Sequence, residues 1–254
     1  MSLVTSRDLR SHRIWRDAPL VGVFRLYGYM NTSEIVRNSV AIGMLSPGQI
    51  TAGTVQSLAT LLISDTSLTI IGFNHVRTAR SFRGRNTAIQ RLLKSPAEWL
   101  LWIDSDMTFR PETFATMWQA AHEAPFPRIV SALAFMFDGN NHSLAPNIFD
   151  WNEETQEHDV RNNYPLDDQF WTDATGVAFT LIHRSVFEAV EYPWHQDHVE
   201  HPETGKPMGH DISFYYKCRQ AGIRVWYCSD AKTGHIKTFE ADEAAYMRHL
   251  GAKT

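Results

Sequence analysis

Glu98 to Pro111 read EWLLWIDSDMTFRP, a short apolar run that breaks abruptly into acidic residues. Five consecutive apolar residues that end at a turn are typical of a strand buried on both faces of a parallel sheet. Ligands bind just beyond the carboxyl ends of such strands. Because residues i and i+2 of an extended chain project to the same side, Asp104 and Asp106 are expected to converge there. Two neighbouring carboxylates repel each other unless a cation lies between them, so this stretch predicts a site for Mg²⁺ or Mn²⁺.

The same residues have a simpler interpretation. One aspartate would cap the following helix, and the other would be a solvated turn residue. Asp-x-Asp is a short and common pattern, and only its position after a buried strand favours ligand binding.

Composition narrows the functional class. The chain has 254 residues, 43% of them hydrophobic and 20% charged, as expected for one large or two small globular domains. Its net charge of −4 gives no positive field for bare nucleic acid or anionic lipid. The first 16 residues lack the apolar segment of a signal peptide, and the two cysteines do not form a zinc or disulfide pattern. We therefore expect a cytoplasmic enzyme.

Strand and helix patterns alternate in the first half of the chain, which predicts a doubly wound, mostly parallel sheet in an α/β fold. The predicted strands are 39–45, 68–73, 99–103 and 128–137, with helices at 51–62 (N-cap Thr51) and from Pro111, and a third ending near 93. The basic stretch 77–85 leads into that third helix. No glycine-rich dinucleotide loop or Walker loop is present.

The second half contains two polar segments without periodicity, 138–170 and 191–209, which are expected to be functional loops. Strands are predicted at 175–182 and 223–228, and helices at 185–190, 210–221 and 240–250. A further strand could occupy 20–30.

Basic and amide side chains precede the second helix. Arg80, Arg83, Arg85 and Asn86 lie where a helix N-terminus should point at the site. Arginine suits a phosphate, and asparagine suits a uracil or ribose edge. The alternative is a solvated basic turn.

Two further groups are candidates for ligand contact. Gly176 would allow close approach of a sugar, and Trp171 and Asp173 just before it could contact sugar or acceptor, although a turn glycine and a core tryptophan explain them equally well. The histidines of the second polar segment recur every third residue and could form a second metal site or be ordinary loop residues: His195, His198 and His201.

Several of these pieces, taken in order, resemble the GT-A glycosyltransferases, which use nucleotide sugars as donors. The pieces are the buried strand with Asp104-Ser105-Asp106, the Gly176 strand, the acidic helix start at Asp211, Ala221-Gly222-Ile223 and Gly234-His235. The likeness covers residues 39–237. It implies one GT-A domain over 39–254, with a nucleotide-binding half (39–137) and an acceptor half (138–254), preceded by an arm at 1–38.

The resemblance also implies roles for individual residues. Asp104 and Ser105 would contact the nucleotide, Asp104 and Asp106 would bind the metal, and His235 would complete the metal shell. Asp211 would be the general base. His210 stands where the family usually has a glutamate, which is a departure from its pattern and a candidate acceptor contact.

We therefore expect a Mn²⁺- or Mg²⁺-dependent transferase that moves a sugar from a nucleoside diphosphate, UDP being favoured, to an acceptor hydroxyl. The alternatives are a sugar-nucleotide nucleotidyltransferase and a non-catalytic sugar-nucleotide-binding module. The acceptor, the stereochemistry and the oligomeric state stay open, and nucleic acid is expected only as a modified-base acceptor. The two polar segments are expected to select the acceptor.

Overall fold

A computed structural model of the chain describes residues 34–64, 69–78, 80–138 and 143–238. The helices of these residues are α1 (Ala52–Ile63), α2 (Ser81–Leu93), α3 (Pro111–His122), α4 (Arg184–Ala189) and α5 (His210–Gln220). The strands are β1 (Val36–Ser46), β2 (Thr69–Arg77), β3 (Ala97–Asp104), β4 (Met107–Phe109), β5 (Ile129–Leu133), β6 (Phe135–Asp138), β7 (Ser143–Pro146), β8 (Ile148–Asn152), β9 (Glu157–Val160), β10 (Gln169–Thr172), β11 (Ala174–Thr175), β12 (Phe179–His183), β13 (Val199–Glu200), β14 (Pro207–Met208) and β15 (Val225–His235). The strand expected at 20–30, most of the arm 1–38 and the helix expected at 240–250 lie outside the described residues.

The central sheet has the order β10-β15-β5-β12-β3-β1-β2, and β4 pairs with the last three residues of β15. Strand β1 is parallel to β2 and β3, and β5 is parallel to β15. Strand β12 is antiparallel to both β3 and β5, and β10 is antiparallel to β15. The sheet is therefore mixed rather than mostly parallel, because the described residues between β5 and β12 contain no helix and their hairpins return the chain in the opposite direction.

Strand β3 lies in the middle of this sheet and is buried on both faces, as its apolar run predicts. Leu100 and Trp102 pack into one core cluster with residues of α2, α4 and α5. Leu101 and Ile103 pack into another with residues of α1 and α3. Each such side chain stabilises the fold by about 1.5–3 kcal/mol, so β3 holds Asp104 rigidly at its carboxyl end.

Local sequence signals set the helix ends. The Thr51 side chain accepts the Thr54 N–H and caps α1 as expected, and Pro111 is the first residue of α3. Gly222 adopts φ +67° just after α5, a conformation that favours glycine. Helix α2 begins at Ser81, inside the basic stretch that was expected to precede it.

The two polar segments contain paired strands, which corrects the prediction of unstructured loops. Strands β8 and β9 form an antiparallel hairpin, and β13 pairs with β14. The last strand, β15, extends to His235, seven residues beyond the end predicted at 228, so this histidine lies at a strand end. These paired strands are only two to five residues long, so hydrophobic periodicity does not reveal them.

None of the helices in the described ranges has both the length and the apolar character needed to cross a membrane.

Candidate functional site

A cavity of about 360 Å³ opens where the parallel strands β1, β2 and β3 end, the place predicted for a ligand. The starts of α2 and α5 and the end of β15 complete its wall. Its polar lining comprises Ser46, Thr78, Ser81, Arg85, Asp104, Ser105, Asp106, His210, Asp211, His235 and Lys237. The cavity thus brings together residues from both halves of the chain.

Strand pairing brings His235 to Asp106. Met107 pairs with His235, and the Ile236 N–H donates to the Asp106 carbonyl at 2.8 Å. Nδ1 of His235 lies 2.8 Å from the Phe135 carbonyl, so it carries the proton, and Nε2 lies 3.1 Å from Asp106 Oδ2. Burial lowers the pKa of His235, but its hydrogen bonds with Asp106 and Phe135 outweigh burial and raise that pKa.

Lys237 also contacts Asp106, and the sequence analysis did not identify it. Its Nζ lies 2.7 Å from Asp106 Oδ2. Burial would raise the pKa of Asp106, but the hydrogen bonds and charges of His235 and Lys237 outweigh it and lower that pKa to about 2. The i, i+2 spacing from His235 is the signal that could have indicated Lys237, since both side chains of an extended segment project to one side.

Arg85 connects Asp104 to Asp211 beneath the cavity. This arginine is 3% exposed. Its Nη2 lies 3.4 Å from Asp104 Oδ1, and its Nε lies 3.2 Å from Asp211 Oδ1. The guanidinium also lies 5.1 Å from the centre of the Trp102 ring, and its Nη1 is buried without a hydrogen-bond partner. The sequence led us to expect a phosphate contact, whereas here the guanidinium pairs with two carboxylates, because α2 starts early and Arg85 falls on its buried face.

The carboxyl of Asp104 carries an incompletely compensated charge. Burial raises its pKa, Arg85 offsets part of the effect, and the charges of Asp211 and Asp106 raise it further, to about 6. An additional cation nearby would therefore stabilise the ionised form of this carboxyl.

Asp211, at the start of α5, is surrounded by donors and cations. Its Oδ1 lies 2.8 Å from His210 Nδ1 and 3.5 Å from His195 Nδ1, and its Oδ2 accepts the Val177 N–H at 3.2 Å. Burial would raise the pKa of Asp211, but Arg85 and the two histidines hold it well below its usual range.

His195, His210 and Asp211 also form a group whose ligand atoms all lie within 4.8 Å of one another, a spacing that could hold a metal ion. It is the one group of this kind among the described residues. Arg85 reaches into it, with Nε 3.2 Å from Asp211 Oδ1. The guanidinium therefore already provides the positive charge that a metal would bring.

Two of the predicted nucleotide contacts lie away from the cavity lining. Arg80 is an exposed residue at the start of α2. Asn86 is buried and clamps the backbone of His195, with Nδ2 2.8 Å from its carbonyl and Oδ1 3.0 Å from its N–H. Ser105, by contrast, lines the cavity, and its carbonyl accepts the Thr51 N–H at 2.9 Å.

The three predicted sugar contacts also lie outside the cavity lining. The Trp171 ring packs edge-on against Trp226 at 4.9 Å. Asp173 Oδ1 pairs with Arg224 Nε at 2.8 Å. A Cβ on Gly176 would lie 2.5 Å from the Asn147 side chain, so a neighbouring side chain is enough to explain this glycine.

The three histidines of the second polar segment have separate environments. His195 is buried beside Asp211, His198 is exposed, and His201 is buried with its ring 4.8 Å from that of Tyr216. They do not form the second metal site that was considered.

Comparison with known proteins gives a likeness in fold. No protein-family model and no curated protein sequence matches the chain. The crystal structure of A197 from STIV is similar over 79% of this chain and 86% of that one, with a TM-score of 0.55 and 14% identity. The crystal structure of GalNAc-T7 with UDP, GalNAc and Mn²⁺ is similar over 80% of this chain, with a TM-score of 0.51 and 9% identity. This chain spans 44% of the GalNAc-T7 chain. At these identities the comparisons establish a shared fold, one that a glycosyltransferase also adopts.

Proposed function

We propose that this protein is a divalent-metal-dependent glycosyltransferase that moves a sugar from a nucleoside diphosphate, UDP being favoured, to an acceptor hydroxyl. The observation that carries the proposal is the meeting of Asp106 with His235, 129 residues later in the chain, in a cavity that also contains Asp104 and Asp211. Two carboxylates and an imidazole at the carboxyl edge of a sheet are ligand types suited to a divalent ion beside a phosphate, although the ligand atoms of Asp104, Asp106 and His235 do not all lie within 4.8 Å of one another.

The fold likeness supports the choice of donor. The GalNAc-T7 structure was determined with UDP, GalNAc and Mn²⁺. A UDP-sugar and Mn²⁺ are therefore the first ligands to test on this chain.

The residues present fit a metal ion in kind. The raised pKa of Asp104, caused first by burial, indicates a carboxylate that a further cation would stabilise. Lys237 and His235 both contact Asp106 Oδ2. Before Asp106 and His235 can bind a metal, Lys237, whose side chain is 37% exposed, has to move away, and His235 has to release its second proton. When bound, the ion supplies Lewis-acid stabilisation of the departing diphosphate.

The chain's own residues have separate tasks in this proposal. Lys237, once released from Asp106, can pair with a diphosphate oxygen, since its ammonium is a mobile point charge. Asp104 and Ser105 contact the nucleotide from the end of β3. Arg85 keeps Asp104 and Asp211 in place, because it contacts both.

The test is a thermal-shift screen with UDP, ADP, GDP and CDP, each with Mn²⁺, with Mg²⁺ and with EDTA. A ligand at 100 times its Kd stabilises the folded state by about 2.7 kcal/mol, so UDP with Mn²⁺ should raise Tm clearly and EDTA should cancel the shift. The proposal fails if none of the four nucleotides shifts Tm in a metal-dependent way. Binding without release of UDP from any UDP-sugar would indicate a binding module, and formation of UDP-sugar from UTP and a sugar 1-phosphate would indicate a nucleotidyltransferase.

A further inference from the structure

A serine, a histidine and an aspartate make consecutive contacts on one wall of the cavity. Ser81 Oγ lies 2.7 Å from His210 Nε2, and His210 Nδ1 lies 2.8 Å from Asp211 Oδ1. Ser81 is the first residue of α2, and His210 and Asp211 open α5. All three line the cavity that contains Asp104 and Asp106.

Asp211 is poorly placed to accept a proton itself. Its Oδ1 faces the Arg85 guanidinium at 3.2 Å as well as His210, and its Oδ2 accepts the backbone N–H of Val177. A carboxylate held by a buried cation and a backbone donor is a weak base. It is suited instead to orienting an imidazole, which is how carboxylates act beside catalytic histidines.

His210 has the opposite arrangement. The Asp211 carboxylate 2.8 Å from Nδ1 favours the neutral tautomer with its proton on Nδ1, which presents the Nε2 lone pair towards Ser81 and the cavity. In this tautomer the Ser81 hydroxyl donates to Nε2, which is the same hydrogen bond that an acceptor hydroxyl would make before losing its proton. Arg85 Nε and His195 Nδ1 approach the same Asp211 Oδ1 as His210 does, at 3.2 and 3.5 Å, and the His195 ring centre lies 6.2 Å from that of His210.

We propose that His210, oriented by Asp211, removes the proton from the attacking hydroxyl, and that Ser81 Oγ marks the position this hydroxyl takes. The proposal rests on the proposed glycosyl transfer, and it replaces Asp211 as the base that the family resemblance implies. Asp211 is then a positioning residue and His210 the catalytic one.

The atoms balance in a single displacement. The acceptor oxygen forms a bond to the anomeric carbon of the donor while its proton passes to His210 Nε2. The bond from the anomeric carbon to the diphosphate oxygen breaks, and its electron pair stays on that oxygen. The imidazolium, stabilised by Asp211, then releases its proton to water.

The chain offers a matched control at the same edge of the sheet. Ser46 Oγ lies 2.8 Å from His75 Nε2, so this pair has the same contact as Ser81 and His210. His75 is exposed, and among the described residues no carboxylate lies within 4.0 Å of its ring nitrogens. A serine–histidine contact alone should therefore have no catalytic effect.

The first experiment measures the tautomer of His210 in the uniformly ¹⁵N-labelled wild-type protein, without any donor. A long-range ¹H–¹⁵N correlation spectrum at pH 8 should show His210, identified by signals lost in His210→Gln, with its proton on Nδ1. In Asp211→Asn the population should shift towards the Nε2-protonated form. A wild-type His210 protonated on Nε2 overturns the proposal whether or not the protein turns over a nucleotide sugar.

The second experiment measures UDP release with Mn²⁺ and water as acceptor, from UDP-glucose, UDP-galactose, UDP-GlcNAc and UDP-GalNAc. His210→Gln should lower kcat by about 10²-fold or more and change UDP affinity by less than about threefold. Ser81→Ala should lower kcat by less than about tenfold, and His75→Gln should leave it unchanged.

Unchanged turnover in His210→Gln contradicts the proposal. So does a sugar-sized mass increase on Ser81, which would make that serine the nucleophile. If none of the four donors is turned over, the proposed function fails, and the spectrum alone decides the arrangement of His210.

Discussion

Two regions of this molecule place an arginine over a tryptophan, and they differ in burial. At the carboxyl edge of the sheet, Arg85 lies 5.1 Å from the Trp102 ring centre, and its side chain is 4% exposed. Over the β8–β9 hairpin, Arg219 lies 4.6 Å from the Trp151 ring centre, and its side chain is 35% exposed. Arg85 pairs with two partly buried aspartates, whereas Arg219 pairs with Glu153, which is 73% exposed. The arginine of the first region therefore binds two partly buried carboxylates, whereas the arginine of the second region mainly covers the tryptophan ring.

The largest expected effect distinguishes the two arginines. Arg85→Met should lower the free energy of unfolding by about 3–5 kcal/mol, because it leaves two carboxylates without their buried partner. Arg219→Met should cost less than about 1 kcal/mol, the usual value for an exposed pair. Urea unfolding of both variants measures the difference, and equal losses would show that burial does not separate the two sites.

The next effect concerns metal binding. Asp106→Asn should weaken Mn²⁺-dependent UDP binding more than about tenfold, or about 1.4 kcal/mol, because it removes a charged oxygen ligand without changing shape. Asp159→Asn in the hairpin, where Asp159 Oδ2 accepts from Asn152 at 2.7 Å, is the matched control and should change nothing. Titration calorimetry of UDP with Mn²⁺ measures both, and wild-type affinity in Asp106→Asn would remove this residue from the metal site.

The third effect is a pH dependence of opposite sign in the two regions. At the cavity the pKa of Asp104 is raised to about 6, first by burial, so the folded state holds its proton more tightly. Its contribution to stability is greatest at low pH and falls as pH rises from about 4 to 6. In the hairpin, burial lowers the pKa of His158 to about 4, so its contribution is lost as pH falls from about 6.5 to 4.

Asp104→Asn and His158→Gln separate these contributions. Each should remove a slope of opposite sign, in the overlapping range between about pH 4 and 6.5, from the curve of unfolding free energy against pH for the metal-free protein, measured in urea. The same change in slope in both variants would contradict the opposite signs.

The same two regions show what the sequence could predict. Asp104 and Asp106 follow from a buried strand that ends in acidic residues, and the ends of neighbouring parallel strands must meet at one edge. The direction of β12 could not be predicted, because an apolar run has the same pattern in parallel and antiparallel neighbours. The role of Arg85 could not be predicted because the start of α2 was expected about one turn later. With α2 starting at Ser81, this arginine lies on the buried face of the helix. The hairpin residues Trp151 and His158 pair outside the main core and left no periodic signal.

The pairing of β4 with β15 has a consequence for synthesis of the protein. Asp106 and His235 are 129 residues apart, and at about 5–20 residues per second the ribosome needs on the order of 10 s to make the intervening chain. During that interval β4 has no strand to pair with, and the proposed metal site lacks its imidazole. A nascent chain therefore cannot assemble the full set of metal ligands until β15 has been translated and has docked against β4.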